Sequence, residues 1–167
     1  MALAKHELQL ASLRQPHRKL QAYNAWQRTA FLCHSHLDKE LAEGLQVWLA
    51  EQGVDLYIDW KDNTMPETPN RETAARIKRR IQSSHLFLFL ATANSKASRW
   101  CPWELGYADG EINWSQIVIV PTADSSGTHG NEYLQLYRRL DSNSLGQLFI
   151  FDPGSVQGTA VRTARFA

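Results

Sequence analysis

The run Ser98-Arg99-Trp100-Cys101-Pro102-Trp103-Glu104-Leu105-Gly106-Tyr107-Ala108-Asp109-Gly110 sets one carboxylate among three aromatic rings. Proline is favoured at the first position of a helix, because its missing N–H is unneeded there and its φ is already helical. With Pro102 in that place, Glu104 lies in the first turn, where the helix dipole favours an ionised carboxylate. A charged glutamate flanked by Trp100, Trp103 and Tyr107 suits a pocket for a flat, cationic substrate. The alternative is a first-turn glutamate beside rings that only pack. Chemistry sharpens the first reading. An ordinary glycosidic bond takes two carboxylates to cleave, because a poor leaving group must be protonated. A pyridinium leaving group needs no proton, since its ring nitrogen is quaternary. One carboxylate then suffices to hold ribose hydroxyls and to stabilise the oxocarbenium-like charge as the bond breaks. A desolvated aromatic surround strengthens that interaction and shields the intermediate from water. The rings also offer stacking faces for flat bases.

The elements around this segment follow from apolar spacing. Thr29-Ala30-Phe31-Leu32-Cys33 is a short apolar run, and Ser35-His36-Leu37-Asp38 resembles a capping box with Asp in the Glu/Gln position. The helix it opens carries Leu37, Leu41, Leu45, Trp48 and Leu49 on one stripe, and Gly53 fits its C-terminal cap. Val54 to Asp59 reads as a second strand. Trp60 to Asn70, with Pro66, Pro69, Asn63 and Asn70, reads as a long loop. A helix over 71–83 turns Ala74, Ile77 and Ile81 inward. Leu86 to Ala91 is apolar throughout, as expected of a strand covered on both faces. The Trp/Glu helix comes next, then a strand over 116–120, a polar loop over 124–130, a helix over 133–140 and a fifth strand, Leu148 to Phe151.

Strands alternating with helices predict a doubly wound parallel sheet. Ligands bind such sheets beyond the carboxyl ends of the strands, at the topological switch point. That rule selects His34 and Ser35, Asp59 to Asn70, and Thr92 to Glu104. Residues 1–28 are expected to be an accessory helical segment, 29–153 the domain, and 154–167 a frayed tail.

The chain has 167 residues, 43% hydrophobic and 21% charged, with a net charge of +1. Those values fit one soluble globular domain and give no overall field for nucleic acid or an anionic membrane. No window is long and apolar enough to span a bilayer, and the first 30 residues lack the apolar core of a secretory signal. Two cysteines, Cys33 and Cys101, form no disulfide framework, so a reducing cytoplasm is the expected compartment. There is no glycine-rich phosphate loop. Cys33, His34 and His36 point in different directions from one strand end, so no metal site is expected. Nothing local orients a base toward Cys101. Arg76, Lys78, Arg79 and Arg80 read as a solvated helix face, with a partner surface as the alternative.

Phe31-Leu32-Cys33-His34-Ser35, Tyr57-Ile58-Asp59, the Trp60–Asn70 loop and Ser98 to Leu105 together resemble a Toll/interleukin-1 receptor (TIR) domain of the bacterial, NAD+-cleaving type. The resemblance covers Thr29 to Phe151 and implies a flavodoxin-like five-stranded parallel sheet with helices on both faces. It makes Glu104 the catalytic carboxylate, four residues after Trp100. His34 and Ser35 would border the ribose and diphosphate, Asp59 and Trp60 would begin the BB loop, and Trp100 and Trp103 would wall the cleft. NAD+ is implied as substrate, with no further cofactor, and nicotinamide with ADP-ribose or a cyclic isomer as products. The resemblance also implies self-association through the 60–70 loop, contacts with other TIR or effector proteins, and a part in anti-phage or cell-death signalling. Met65-Pro66 and Pro69 stand where many BB loops carry Gly, and proline narrows that loop's conformations. A non-catalytic TIR scaffold, or another nucleotide N-glycosidase on a similar sheet, are the alternatives.

Overall fold

Alternating side chains of the central strands part to two faces, and each face builds its own core. The computed structural model describes residues 2–14, 28–62, 70–133 and 135–164. In β2 (Arg28–Cys33), Ala30 and Leu32 enter one core while Phe31 and Cys33 enter the other. β4 (Leu86–Ala91) and β5 (Ile117–Asp124) divide in the same way. This is the period-two geometry of a pleated strand. β4 is buried at every position because helices cover both its faces. The first core receives Leu41, Leu45 and Leu49 of α2 (Lys39–Glu51). The second receives Ile77 and Ile81 of α3 (Arg71–Ser83) and Leu105 and Ala108 of α5 (Cys101–Glu111).

Five parallel strands run in the order β3 (Val54–Tyr57), β2, β4, β5 and β7 (Arg138–Ser142). Counted along the chain this is the 2-1-3-4-5 order of a flavodoxin-like sheet. The fifth parallel strand is not the expected one. Residues 138–142 form β7 in place of the expected helix, and Leu148–Phe151 (β8) pairs antiparallel with β7. Tyr133, Leu136, Tyr137 and Leu140 have helical spacing, yet Leu136 stays exposed. The open edge of β5 needs backbone partners, and Arg139 packs its guanidinium over Phe151 while bonding Asp141. Sheet pairing overrides the local periodicity here.

Other departures have similar causes. The polar stretch after β5 folds back as a hairpin through Gly127–His129 (β6). Residues 158–160, expected to fray, form β9 beside β8, and Val161 is buried. Arg28 draws that segment in by donating to the carbonyl oxygens of Val161, Arg162 and Ala164. At the other terminus, β1 (Leu3–Ala4) pairs with β5 and α1 (Lys5–Ser12) lies on α2. Leu3, Leu8 and Ala11 are buried, so this part of the N-terminal segment belongs to the core. A Cβ on Gly44 would lie 1.9 Å from the Leu8 carbonyl oxygen, so the close approach of the helices requires glycine there. No helix among the described residues is long and apolar enough to cross a membrane.

Candidate active site

Local rules start α5 where the sequence places it. Ser98 Oγ accepts from the backbone N–H of Trp100 and Cys101, Pro102 occupies the first turn, and Glu104 N–H donates to the Trp100 carbonyl oxygen at 2.9 Å. Cys101, Glu104, Leu105 and Ala108 then share the inward face of the helix. Glu104 is only 6% exposed. Its carboxyl meets the thiol of Cys33, at the end of β2, which also lies 3.6 Å from the Cys101 carbonyl oxygen. Burial pushes Glu104 well above the usual carboxylate range; the Cys33 hydrogen bond opposes this, while negative charge at Cys101 and Asp59 adds to it. The dipole argument for an ionised glutamate is therefore overruled by desolvation. Burial likewise pushes the Cys33 thiol up, which keeps it a protonated donor.

The carboxyl ends of β2 and β3 hold the other candidates. His34 and Ser35 are both buried. His34 Nδ1 faces the Leu32 carbonyl oxygen at 3.3 Å, and Trp60 Nε1–H donates to His34 Nε2 at 2.8 Å. An indole nitrogen only donates, so His34 must be neutral with its proton on Nδ1. Burial lowers its pKa in agreement, against the opposing charge of Asp59. Ser35 caps a short turn over His36–Asp38 by accepting from Leu37 N–H. Trp60 packs on the first core and takes Lys39 and Lys61 against its ring. Asp59 opens the same turn, Asp59–Lys61, at the end of β3. Residues 63–69 of the expected BB loop lie outside the described residues.

The Ser35–Asp38 capping box does not close. Leu37, expected on the inward stripe, is 79% exposed, and the Asp38 side chain turns away from the helix start. Asp38 instead accepts from Thr92 Oγ1 at 2.5 Å and from Asn94 Nδ2 at 2.7 Å. This clamp joins the turn after β2 to the start of α4 (Ala93–Ala97), the short helix that follows β4. Spacing offered no sign of it, because its partners lie far apart in the chain. Asp38→Ala is expected to cost about 2–3 kcal/mol, since it leaves the buried Thr92 hydroxyl without its charged acceptor. Asp38→Asn, whose carbonyl still accepts from Thr92, should recover part of that loss in urea unfolding.

The aromatic group divides. Trp100 packs on the second core beside Glu104's helix start and meets Trp103 edge-on at 5.3 Å. Trp103 is 37% exposed and stacks on Tyr107, with Lys78 over both rings. The contacts of Trp103 run outward along α5 toward α3, whereas Trp100 stays packed on the second core at the helix start. Arg76 is paired with Glu72, and Arg80 with Asp62, so much of the basic run on α3 is spent on local ion pairs.

Sequence comparison adds kinship to this geometry. A family profile described as the TIR domain matches residues 30–148. The "Probable 3' cyclic ADP-D-ribose synthase ThsB'" of Bacillus cereus (strain MSX-D12) is 38% identical over 112 residues, 64% of this chain and 57% of that protein. The "Putative cyclic ADP-D-ribose synthase TIR2" of Cytobacillus dafuensis is 28% identical over 81 residues, 47% of this chain and 21% of that protein. The matched part thus spans little more than half of the first relative and about a fifth of the second.

Proposed function

Because the chain belongs to the TIR domain family, we propose that it cleaves NAD+ at the nicotinamide–ribose bond and closes the ADP-ribosyl cation into a cyclic ADP-ribose. The observation that carries this reading is Glu104, a nearly buried carboxyl at the switch point of the sheet, held by a helix start and touched by a thiol. Burial makes the charged form of Glu104 costly in the resting site. A nicotinamide ring brings a fixed positive charge, which lowers the cost of ionising Glu104 as the substrate enters. When the C–N bond breaks, the electron pair leaves with nicotinamide and the positive charge moves to the ribose, where the carboxylate stabilises it. Low local polarity makes that attraction strong. Trp100 walls the crevice, and His34 and Ser35 border the ribose and diphosphate. Cyclisation in place of hydrolysis is supported by the names of both relatives as cyclic ADP-D-ribose synthases.

The same reading includes self-association through the 60–70 loop, action in the cytoplasm and a part in anti-phage defence. The decisive experiment incubates the concentrated full chain with NAD+ and separates nicotinamide, ADP-ribose and cyclic product by chromatography. Nicotinamide and a cyclic product are expected in equal amounts. Absence of nicotinamide under every assembling condition would favour a non-catalytic scaffold.

A further inference from the structure

We infer that Asp59 is a second catalytic carboxylate, the base that takes the proton from the hydroxyl group closing the ring; this rests on the NAD+ reading above. Its position comes from the sheet. The β2–β3 ladder ends at the pair Phe31–Tyr57; two residues beyond it Asp59 opens the short turn after β3, while on β2 two residues beyond it lies Cys33, whose thiol meets Glu104. The next residue, Trp60, is hydrogen-bonded to His34 on the neighbouring strand end. Asp59 therefore leaves the end of β3 beside the strand end that carries His34. Its negative charge acts on both Glu104 and His34.

The second observation is an orphaned atom. Asp59 Oδ1 is buried and has no hydrogen-bond partner among the described residues. A buried carboxylate oxygen without a donor costs about 1–3 kcal/mol or more, and native chains seldom carry one without a use. A hydroxyl of the bound substrate is the donor that this atom lacks.

The chemistry calls for such an acceptor. Breaking the C–N bond sends an electron pair to nicotinamide and leaves a cationic ribose carbon. A hydroxyl of the same molecule forms the new C–O bond and must shed its proton, so NAD+ yields nicotinamide, cyclic product and one proton. Glu104 is poorly suited to accept that proton, because it has to stay anionic against the cation until the bond has formed. Two carboxylates in different surroundings divide the work: Glu104 stabilises charge, and Asp59 Oδ1 receives the proton and passes it to solvent. Water capture, which yields ADP-ribose, makes the same demand.

Exchange with a free pyridine base separates this role from a structural one. The ring nitrogen of 3-acetylpyridine attacks the ribose carbon with its own lone pair and has no proton to lose. Asp59→Asn, assayed as the full chain with NAD+ and 3-acetylpyridine, should keep base exchange near the native rate. Cyclic product and ADP-ribose should both fall on the order of 100-fold or more. A parallel loss of exchange and closure would overturn the inference, since it would mean that Asp59 only shapes or binds. Closure that survives in Asp59→Asn would overturn it too, and would indicate attack by an adenine nitrogen. If the native chain neither releases nicotinamide nor exchanges it, the NAD+ reading itself fails, and this one with it.

Discussion

Glu104→Gln is expected to abolish nicotinamide release, by on the order of 10²–10³-fold or more, while making the folded chain more stable above neutral pH. Glutamine keeps the shape and a hydrogen-bond acceptor for Cys33 but carries no charge to set against the ribosyl cation. The stability change has a definite sign. Burial raises the Glu104 pKa in the folded state, so the native chain holds this proton to higher pH than the unfolded chain does. The resulting stability is fully present below the ordinary carboxylate range and is lost as pH rises through the raised folded value. Glutamine removes that loss. Its urea midpoint should match that of the native chain below the ordinary carboxylate range and exceed it above neutral pH. Stability is given up at a site that needs a desolvated carboxylate. Native activity in Glu104→Gln would sink the catalytic assignment, and a midpoint difference that does not vary with pH would contradict the burial argument.

Gly44→Ala should destabilise the chain by about 1–3 kcal/mol. In an isolated helix the same change would help by about 1 kcal/mol, because glycine is the poorer helix former. Here the added methyl would sit 1.9 Å from the Leu8 carbonyl oxygen and 2.6 Å from its carbon, both backbone atoms of α1. No side-chain rotation relieves such a clash; α1 has to move. Its displacement pulls Leu8 from the first core, uncovers the buried Ala11, and strains the β1–β5 pairing and the Lys5–Asp124 ion pair. Urea unfolding gives the net change, and faster amide exchange over 8–12 locates it. A net gain in stability would show that α1 does not dock on α2 in this way.

The parts of the site set by neighbours in the chain were legible from residue types. Pro102 and Ser98 begin α5 and place Glu104 in its first turn, and the continuous apolar run of β4 marks a strand buried on both faces. Where long-range partners decide, local patterns misled. Residues 138–142 have helical spacing but complete the edge of β5, and Leu37 continues an apolar stripe yet stands in solvent because the helix begins after it. Trp100 and Trp103 look equivalent three residues apart. The packing of α5 on the sheet and α3 keeps one against the second core and sends the other to Lys78. The Asp38–Thr92–Asn94 clamp and the orphaned Asp59 oxygen have no signature at all, since each depends on what lies across the switch point.

Caps, turns and apolar periods act within a few residues, so the order of amino acids alone places Glu104 at a helix start beside aromatic rings, at the carboxyl end of a parallel sheet. What kind of carboxyl it is depends on the folded surroundings. Its first-turn position argues for a charge, whereas β2 brings Cys33 against it and the second core removes its water. Desolvation depends on every surrounding atom, and it outweighs the dipole of one helix end.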